Sequence, residues 1–128
     1  ERHQKTTMEI CKWLQSHDQV ASVLYPALPD DPGYALWKRD FCGASGLFSF
    51  VIKDVGRDEA GKFLNALQYH GLGYSWAGYE SLAVMPTFND RVVANGPGGG
   101  TTLRIQVGLE DASDLIADLE RGFAALKR

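Results

Sequence analysis

The segment that most constrains the fold of this chain is residues 46–53, which read GLFSFVIK. Successive side chains of a β-strand point to opposite faces of its sheet, so Phe48, Phe50 and Ile52 share one face. The opposite face, with Ser49 as its polar member, is also largely apolar. A strand with two apolar faces needs cover on both of them, and we therefore expect it inside a covered sheet.

Apolar residues at helical spacing predict three helices. The first covers residues 2–16, and the second begins at Asp58 as its N-cap and ends with Gly71 as its stop. The third begins at Asp111, with Asp114 three residues later in the capping-box position. This last helix has the longest apolar stripe, which consists of Ala112, Leu115, Ile116, Leu119, Phe123 and Leu126.

The remaining elements predict the fold class. Further strands are expected over residues 20–25, 81–85 and 102–107, and a short helix over residues 34–39. The main elements then follow the order helix, strand, strand, helix, strand, strand, helix, which is typical of an α+β sandwich with helices packed on a sheet. A chain of 128 residues without an internal repeat has the usual size of one domain, so we expect a single domain over residues 1–128.

Composition excludes several classes of partner. The formal net charge of −3, without a run of Lys or Arg, argues against nucleic-acid binding. No apolar run approaches the ~20 residues that cross a bilayer, and the polar N-terminus does not resemble a signal peptide. Cys11 and Cys42 are too far apart for a disulfide framework or a zinc site. We expect reduced thiols in a cytoplasmic protein, with Cys42 packed as an ordinary small side chain.

Arg104 is the residue whose position suggests chemistry. It lies between Leu103 and Ile105 in a predicted strand, and their side chains point to the core, so the guanidinium leaves by the opposite face. In a cleft, this planar fork would suit a carboxylate held by two hydrogen bonds. A solvent-exposed or ion-paired arginine satisfies the same pattern, and both interpretations stay open at this point.

Two glycine-containing segments and the histidines give weaker indications. Residues 71–79 combine glycines with aromatic residues, which suits either a ligand-binding loop or a lid packed on the core. Residues 96–100 read GPGGG, lack the Lys-Ser/Thr ending of a P-loop and precede a strand, so a mobile turn is expected. His3, His17 and His70 have no metal-ligand spacing and are expected at the surface or at helix ends.

Several segments, in order, resemble motifs of the pyridoxal-phosphate-dependent enzymes that metabolise cystathionine. Residues 74–82 read YSWAGYESL, which resembles the family signature SLGGxESL in the YSW form typical of cystathionine β-lyases. Residues 37–41 and 43–50, WKRDF and GASGLFSF, and residues 103–111, LRIQVGLED, are similar to further family segments. The similarity covers nearly all of this chain but only about the final third of a family member.

The resemblance implies a fold and a cofactor. The chain would be the C-terminal small domain of a type I, aspartate-aminotransferase-like enzyme, with a mainly antiparallel sheet and helices on one face. Pyridoxal 5'-phosphate would be bound mainly by a large domain that this chain lacks. No lysine here has the family's cofactor-bearing context, and Lys38 belongs to the WKRDF segment. The isolated chain is therefore expected to be inactive, with no catalytic residue of its own.

The resemblance also implies roles for individual residues. Arg104 would bind the α-carboxylate of the substrate, and Ser75 would lie beside that carboxylate and the cofactor lysine. Trp76 would line the pocket, and Tyr74 would help to hold the loop. Glu80 is interpreted as a structural partner of nearby donors. Each of these assignments is carried over from the family by position.

The implied reaction is the cleavage of L-cystathionine to homocysteine, pyruvate and ammonia, in methionine biosynthesis. The implied partners are the amino-acid substrate, the protein's own large domain and further copies in a homo-oligomer. A cystathionine γ-synthase or γ-lyase is an alternative within the family, and a stand-alone, non-catalytic binding or interaction domain is an alternative outside it. Ala77 departs from the family, which usually has glycine there, and this is tolerable unless the position needs a positive φ.

Overall fold

The computed structural model describes residues 1–126. In chain order, the elements are α1 (Arg2–Gln15), β1 (Val20–Leu24), α2 (Tyr34–Asp40), β2 (Leu47–Lys53), α3 (Arg57–Ala66), β3 (Gly71–Leu72), β4 (Leu82–Val84), β5 (Gly100–Gln106) and α4 (Ala112–Ala124). The predicted α+β class is therefore confirmed. No helix within the described part of the chain is long and apolar enough to cross a bilayer.

The five strands form one sheet in the order β1-β2-β5-β4-β3. All neighbouring pairs are antiparallel except β3 and β4, so the expected mainly antiparallel sheet is confirmed. In the pair of seven-residue strands β2 and β5, Phe50 is opposite Leu103 and Ser49 is opposite Arg104. Since side chains alternate along a strand, this register separates an apolar face from a face that carries Arg104.

The helices cover the apolar face. Phe50 of β2 contacts Phe63 of α3 and Phe123 of α4, with ring centroids 6.0 and 6.1 Å apart. Phe63 and Phe123 meet edge to face at 4.9 Å, a favourable geometry for aromatic pairs. A Cβ on Gly122 would lie 2.6 Å from the Phe63 ring, so this glycine allows α4 to approach α3. Ile10 and Leu14 add the buried side of α1 to the same core.

The second predicted helix has different ends. It begins at Arg57 with Gly56 as its N-cap, so Asp58 lies in the first turn and does not cap it. It ends at Ala66, well before Gly71, and the prediction of Gly71 as its stop is wrong. Gly71 instead begins β3 and pairs in parallel with Leu82. The apolar stripe that predicted α3 does not indicate that Gly71 pairs with Leu82, because the stripe reports only which side of the helix is buried.

The capping of α4 is simpler than predicted. Asp111 is its N-cap, as expected, but no side-chain hydrogen bond caps the helix. The backbone N–H of Asp114 donates to the carbonyl of Asp111 at 3.1 Å. The acidic Asp114 therefore lies in the first turn, where it suits the helix dipole, without completing a capping box.

One expectation about the histidines is wrong. His70 is buried, and its Nδ1–H donates to the carboxylate of Asp118 at 2.8 Å. Asp118 also accepts hydrogen bonds from the backbone N–H of Gln68, Tyr69 and His70 and from Arg121. Burial alone would raise the pKa of Asp118, but these donors hold it well below the usual range. This buried carboxylate ties α4 to the segment between α3 and β3.

The glycine tract and Cys42 also differ from expectation. Gly100 belongs to β5 and has a φ of 155°, and a Cβ there would lie 1.8 Å from the carbonyl oxygen of Ile52. The carbonyl of Gly99 accepts a hydrogen bond from the Asp54 N–H at 2.9 Å. The end of the tract is thus built into the sheet and is not a mobile turn.

Cys42 is exposed, so its predicted packing is wrong.

Candidate functional site

Arg104 lies on the face of β5 that the helices do not cover. Its neighbours Leu103 and Ile105 are fully buried, and across the sheet Arg104 is opposite Ser49 and Val84. The predicted direction of its guanidinium is therefore confirmed. Alternation along an apolar strand is what sends this cation away from the helix layer.

The guanidinium of Arg104 is only partly satisfied. Its Nη2 donates to the backbone carbonyl of Tyr74 at 2.5 Å. Its Nε is buried and has no hydrogen-bond partner within residues 1–126. A buried donor without an acceptor costs about 1–3 kcal/mol, and more when it is charged. An arginine held on one side and unpaired on the other is suited to an acceptor supplied by a ligand.

The loop of residues 73–81 joins β3 to β4 and carries the other predicted site residues. Tyr74 and Trp76 are 77% and 60% exposed, and Ser75 is exposed as well. The structure brings Tyr74 to Arg104 through the backbone carbonyl, while its ring projects outward. The side chains of Ser75 and Trp76 make no hydrogen bond or ring contact with the described part of the chain. Both follow Tyr74, whose carbonyl accepts from Arg104, directly in the sequence.

The middle of the loop has a strained backbone. Ala77 has a φ of 66°, in the left-handed region that favours glycine. The family that this chain resembles usually has glycine at this position. Because φ is positive here, alanine is the less favourable residue, which is the case that the sequence analysis left open. A strained residue of this kind persists only where the surrounding structure fixes the backbone.

Residues that the sequence did not single out fix the loop at its downstream end. The Glu110 carboxylate accepts hydrogen bonds from the N–H of Ser81 at 3.0 Å and from its hydroxyl at 2.7 Å. Gln106 donates from Nε2 to the carbonyl of Gly78 at 3.2 Å. Neither role could be predicted, because both partners lie in a loop whose path depends on the sheet. The only sequence signal is that both residues fall within the family-like segment 103–111.

Glu80 does not have the structural role that was expected of it. Its carboxylate is exposed and has no partner within residues 1–126. Glu110 takes that role, because it is the acceptor that faces the N–H and hydroxyl of Ser81. Burial alone would raise the pKa of Glu110, but the hydrogen bonds from Ser81 lower it below its ordinary value.

The groups around Arg104 suit a carboxylate better than a metal or a large anionic cofactor. Within residues 1–126, no cluster of His, Cys, Asp and Glu could hold a metal ion. None of the lysines that the structure describes lies on β5 or on the loop of residues 73–81. One guanidinium with a free Nε–H is a donor set for a single planar anion.

The family of the chain follows from its whole length. Residues 1–124 match the model of the Cys/Met metabolism PLP-dependent enzymes. The chain belongs to this family. A protein from Rhizobium johnstonii is 55% identical over 98% of the chain, and the cystathionine beta-lyase of Escherichia coli is 43% identical over 98%. The chain spans about a third of the length of these curated relatives, since it covers 33% of each.

Other relatives have different reactions. An L-alanine/L-glutamate racemase from Wolbachia pipientis is also 43% identical over 98% of this chain, which covers 32% of it. The crystal structure of a cystathionine gamma synthase from Xanthomonas oryzae, in complex with aminoacrylate and cysteine, has a TM-score of 0.84 and 30% identity. It aligns with 98% of this chain, which covers 34% of the synthase. The expected fold of a pyridoxal-phosphate enzyme is thereby confirmed, while identity at this level does not fix one reaction.

Proposed function

We propose that this chain is the substrate-carboxylate-binding, C-terminal domain of a pyridoxal-phosphate-dependent carbon–sulfur lyase that acts on L-cystathionine. The observation that carries the proposal is the buried, unpartnered Nε of Arg104 beside a guanidinium nitrogen already fixed by the Tyr74 carbonyl. The similarity to cystathionine beta-lyases over 98% of the chain supports the same assignment. Homocysteine, pyruvate and ammonia would be the products.

Arg104 would hold the substrate through one edge of its guanidinium. The carbonyl of Tyr74 takes one hydrogen of Nη2, which leaves the Nε–H and the second Nη2 hydrogen for the two oxygens of a carboxylate. Such a charge-assisted, two-bond contact fixes both position and orientation. The hydroxyl of Ser75 would lie beside this carboxylate, and the ring of Trp76 would line the pocket and exclude water.

The cofactor would act from outside this chain. When bound, pyridoxal phosphate supplies an electron sink that stabilises negative charge next to the reacting carbon. The contribution of this chain is orientation: a carboxylate fixed at Arg104 sets the direction of the other bonds of the substrate's α-carbon. The cofactor domain, a homo-oligomer and the cytoplasmic location implied by the sequence belong to the proposal in the same way.

The test uses the full-length protein loaded with pyridoxal phosphate. With L-cystathionine as substrate, it is expected to release pyruvate, and residues 1–128 alone are expected to release none. Formation of cystathionine from cysteine and an O-acylated homoserine, with release of the acid, would favour a γ-synthase, and conversion of L-alanine to its D form without pyruvate release would favour a racemase. Either result would contradict the proposed reaction.

The arginine is tested in the same assay. The Arg104→Ala protein is expected to have a KM for L-cystathionine raised by roughly 10- to 100-fold, because a charge-assisted hydrogen bond contributes ~1.5–3 kcal/mol. The matched control is Arg57→Ala, since Arg57 also donates to backbone carbonyls, those of Met85 and Pro86, at a distance from the loop. Equal KM values in the two variants would remove Arg104 from the site.

A further inference from the structure

The loop of residues 73–81 has little in its own exposed side chains to fix it. Tyr74, Trp76 and Tyr79 are all more than half exposed, and Ala77 has an unfavourable φ. At its upstream end, the N–H of Gly73 donates to the carbonyl of Ala83 at 3.3 Å. A defined loop conformation therefore depends on residues outside it.

Three residues around the downstream end form what we call the Glu110 clasp, namely Ser81, Gly108 and Glu110. Both oxygens of the Glu110 carboxylate accept from Ser81, at 3.0 Å from its N–H and 2.7 Å from its hydroxyl. The Ser81 hydroxyl oxygen in turn accepts from the N–H of Gly108 at 2.8 Å. The clasp thus joins the loop to the turn between β5 and α4.

The clasp is closely packed as well as hydrogen-bonded. A Cβ on Gly108 would lie 2.1 Å from the carbonyl oxygen of Tyr79 and 2.6 Å from Oε2 of Glu110. The carbonyl of Tyr79 also accepts from the N–H of Leu109 at 2.9 Å. Only glycine at position 108 allows the loop and the turn to come this close. The path of the loop is therefore set by the segment that follows β5.

From this arrangement we infer that Glu110 is a positioning residue: through Ser81 it holds the loop segment 74–78 in the conformation that presents Tyr74, Ser75 and Trp76 at Arg104. This inference rests on the proposed function. Arg104 precedes Gln106, and the clasp residues Gly108 and Glu110 follow it, so one continuous stretch of chain sets both the guanidinium and the loop that faces it.

The charge of Glu110 is part of this role. Burial alone would raise its pKa, but the hydrogen bonds from Ser81 lower it, so the carboxylate is ionised at neutral pH. An ionised carboxylate accepts from both Ser81 donors at once, whereas a neutral amide can accept with its oxygen only. A glutamine at this position would therefore keep half of the contact.

The experiment has two readouts in the full-length, cofactor-loaded protein. The first is amide hydrogen exchange of residues 73–81, where the N–H groups of Gly73 and Ser81 are hydrogen-bonded, and the second is kcat and KM for pyruvate release from L-cystathionine. In Glu110→Ala, exchange of this segment is expected to accelerate about tenfold, because local opening becomes easier. The KM is expected to rise about tenfold, the size of one lost charge-assisted contact, with kcat changed less.

Two further variants keep the result interpretable. Glu110→Gln is expected to restore part of the KM and of the exchange protection. Ser81→Ala keeps the backbone N–H contact with Glu110, so it is expected to show part of the effect of Glu110→Ala and to add little to it in the double variant. If Glu110→Ala does not fold, these variants carry the test. Glu120→Ala is the control, since that exposed carboxylate on α4 only approaches His17 at 3.8 Å.

The outcomes separate the two proposals. If the wild-type protein releases no pyruvate, the proposed function fails, while the exchange of residues 73–81 still tests the clasp. If Glu110→Ala and Glu110→Gln match Glu120→Ala in exchange and in KM, Glu110 does not position the loop. A lowered unfolding temperature in Glu110→Ala with unchanged KM and exchange would likewise assign Glu110 a purely structural role and overturn the inference.

Discussion

The charges of the buried Asp118 and the partly buried Arg104 have very different numbers of hydrogen-bond partners. Asp118 accepts hydrogen bonds from three backbone N–H groups and from the side chains of His70 and Arg121. The guanidinium of Arg104 donates to one group, the carbonyl of Tyr74, and its Nε is unpaired in the described chain. Asp118, with all these partners, stabilises the helix layer, whereas the proposed role of Arg104 is to hold a ligand. The two charges therefore differ in how many hydrogen-bond partners the described chain supplies.

The largest expected effect on the free energy of unfolding is at Asp118. Asp118→Ala is expected to lower the free energy of unfolding by ~3–5 kcal/mol, because it leaves His70 and three backbone N–H groups without their acceptor. Urea unfolding would measure this, with Asp114→Ala as the control, since Asp114 is exposed in the first turn of the same helix. Similar losses in the two variants would show that the donors of Asp118 are satisfied by water.

Only a small effect on the free energy of unfolding is expected at Arg104. Arg104→Ala is expected to change the free energy of unfolding by no more than about 1 kcal/mol, because few native contacts depend on the guanidinium. The same substitution is the one that weakens substrate binding in the proposed function. A destabilisation as large as that of Asp118→Ala in the same urea experiment would make Arg104 a structural residue and end the contrast between the two charges.

The pH dependence of the free energy of unfolding tests the role of the buried carboxylate of Asp118 further. The pKa of Asp118 and that of Glu110 are both lowered by their hydrogen-bond donors, so each group contributes stability above its unfolded pKa, near ~3.9 and ~4.3. That stability is lost as the pH falls through these values towards the folded pKa. The free energy of unfolding is therefore expected to decrease below about pH 5, and less steeply in Asp118→Asn. An unchanged slope in this variant would contradict the assignment.

The smallest expected effect is in the loop. Ala77→Gly is expected to raise the free energy of unfolding by up to ~1 kcal/mol, since glycine relieves the positive φ at some cost in chain entropy. The control is Ala117→Gly in the exposed side of α4, which is expected to lower stability by ~1 kcal/mol. Equal losses in the two variants would mean that the backbone at position 77 is not strained.

Local patterns predicted the larger elements because burial imposes its own period on the sequence. Phe48, Phe50 and Ile52 alternate in β2 as expected, and the stripe that ends at Phe123 marks the buried side of α4. The two-residue strand β3 was missed, because Gly71 carries no strand pattern and its parallel partner lies beyond the loop. The spacing of apolar residues indicates which face of a helix or strand is buried, but it does not indicate which strand pairs with its edge.

The candidate site shows the same division. The alternation of β5 indicated the face of Arg104, and the family-like motif indicated the loop. The contact of Arg104 with Tyr74 was not foreseeable, because it uses a backbone carbonyl that every residue has. The partnership of His70 with Asp118 and that of Ser81 with Glu110 were missed for a related reason. Each joins polar residues that are far apart in sequence and have no shared periodicity.

The proposed recognition of a carboxylate by Arg104 can be tested by calorimetry without turnover of cystathionine. The full-length, cofactor-loaded protein would be titrated with L-alanine and with L-alaninamide, which differ only at the carboxyl group. The wild-type protein is expected to bind L-alanine roughly 10- to 100-fold more tightly, and Arg104→Ala is expected to lose most of that preference. If the preference is the same in both proteins, Arg104 does not bind the carboxylate.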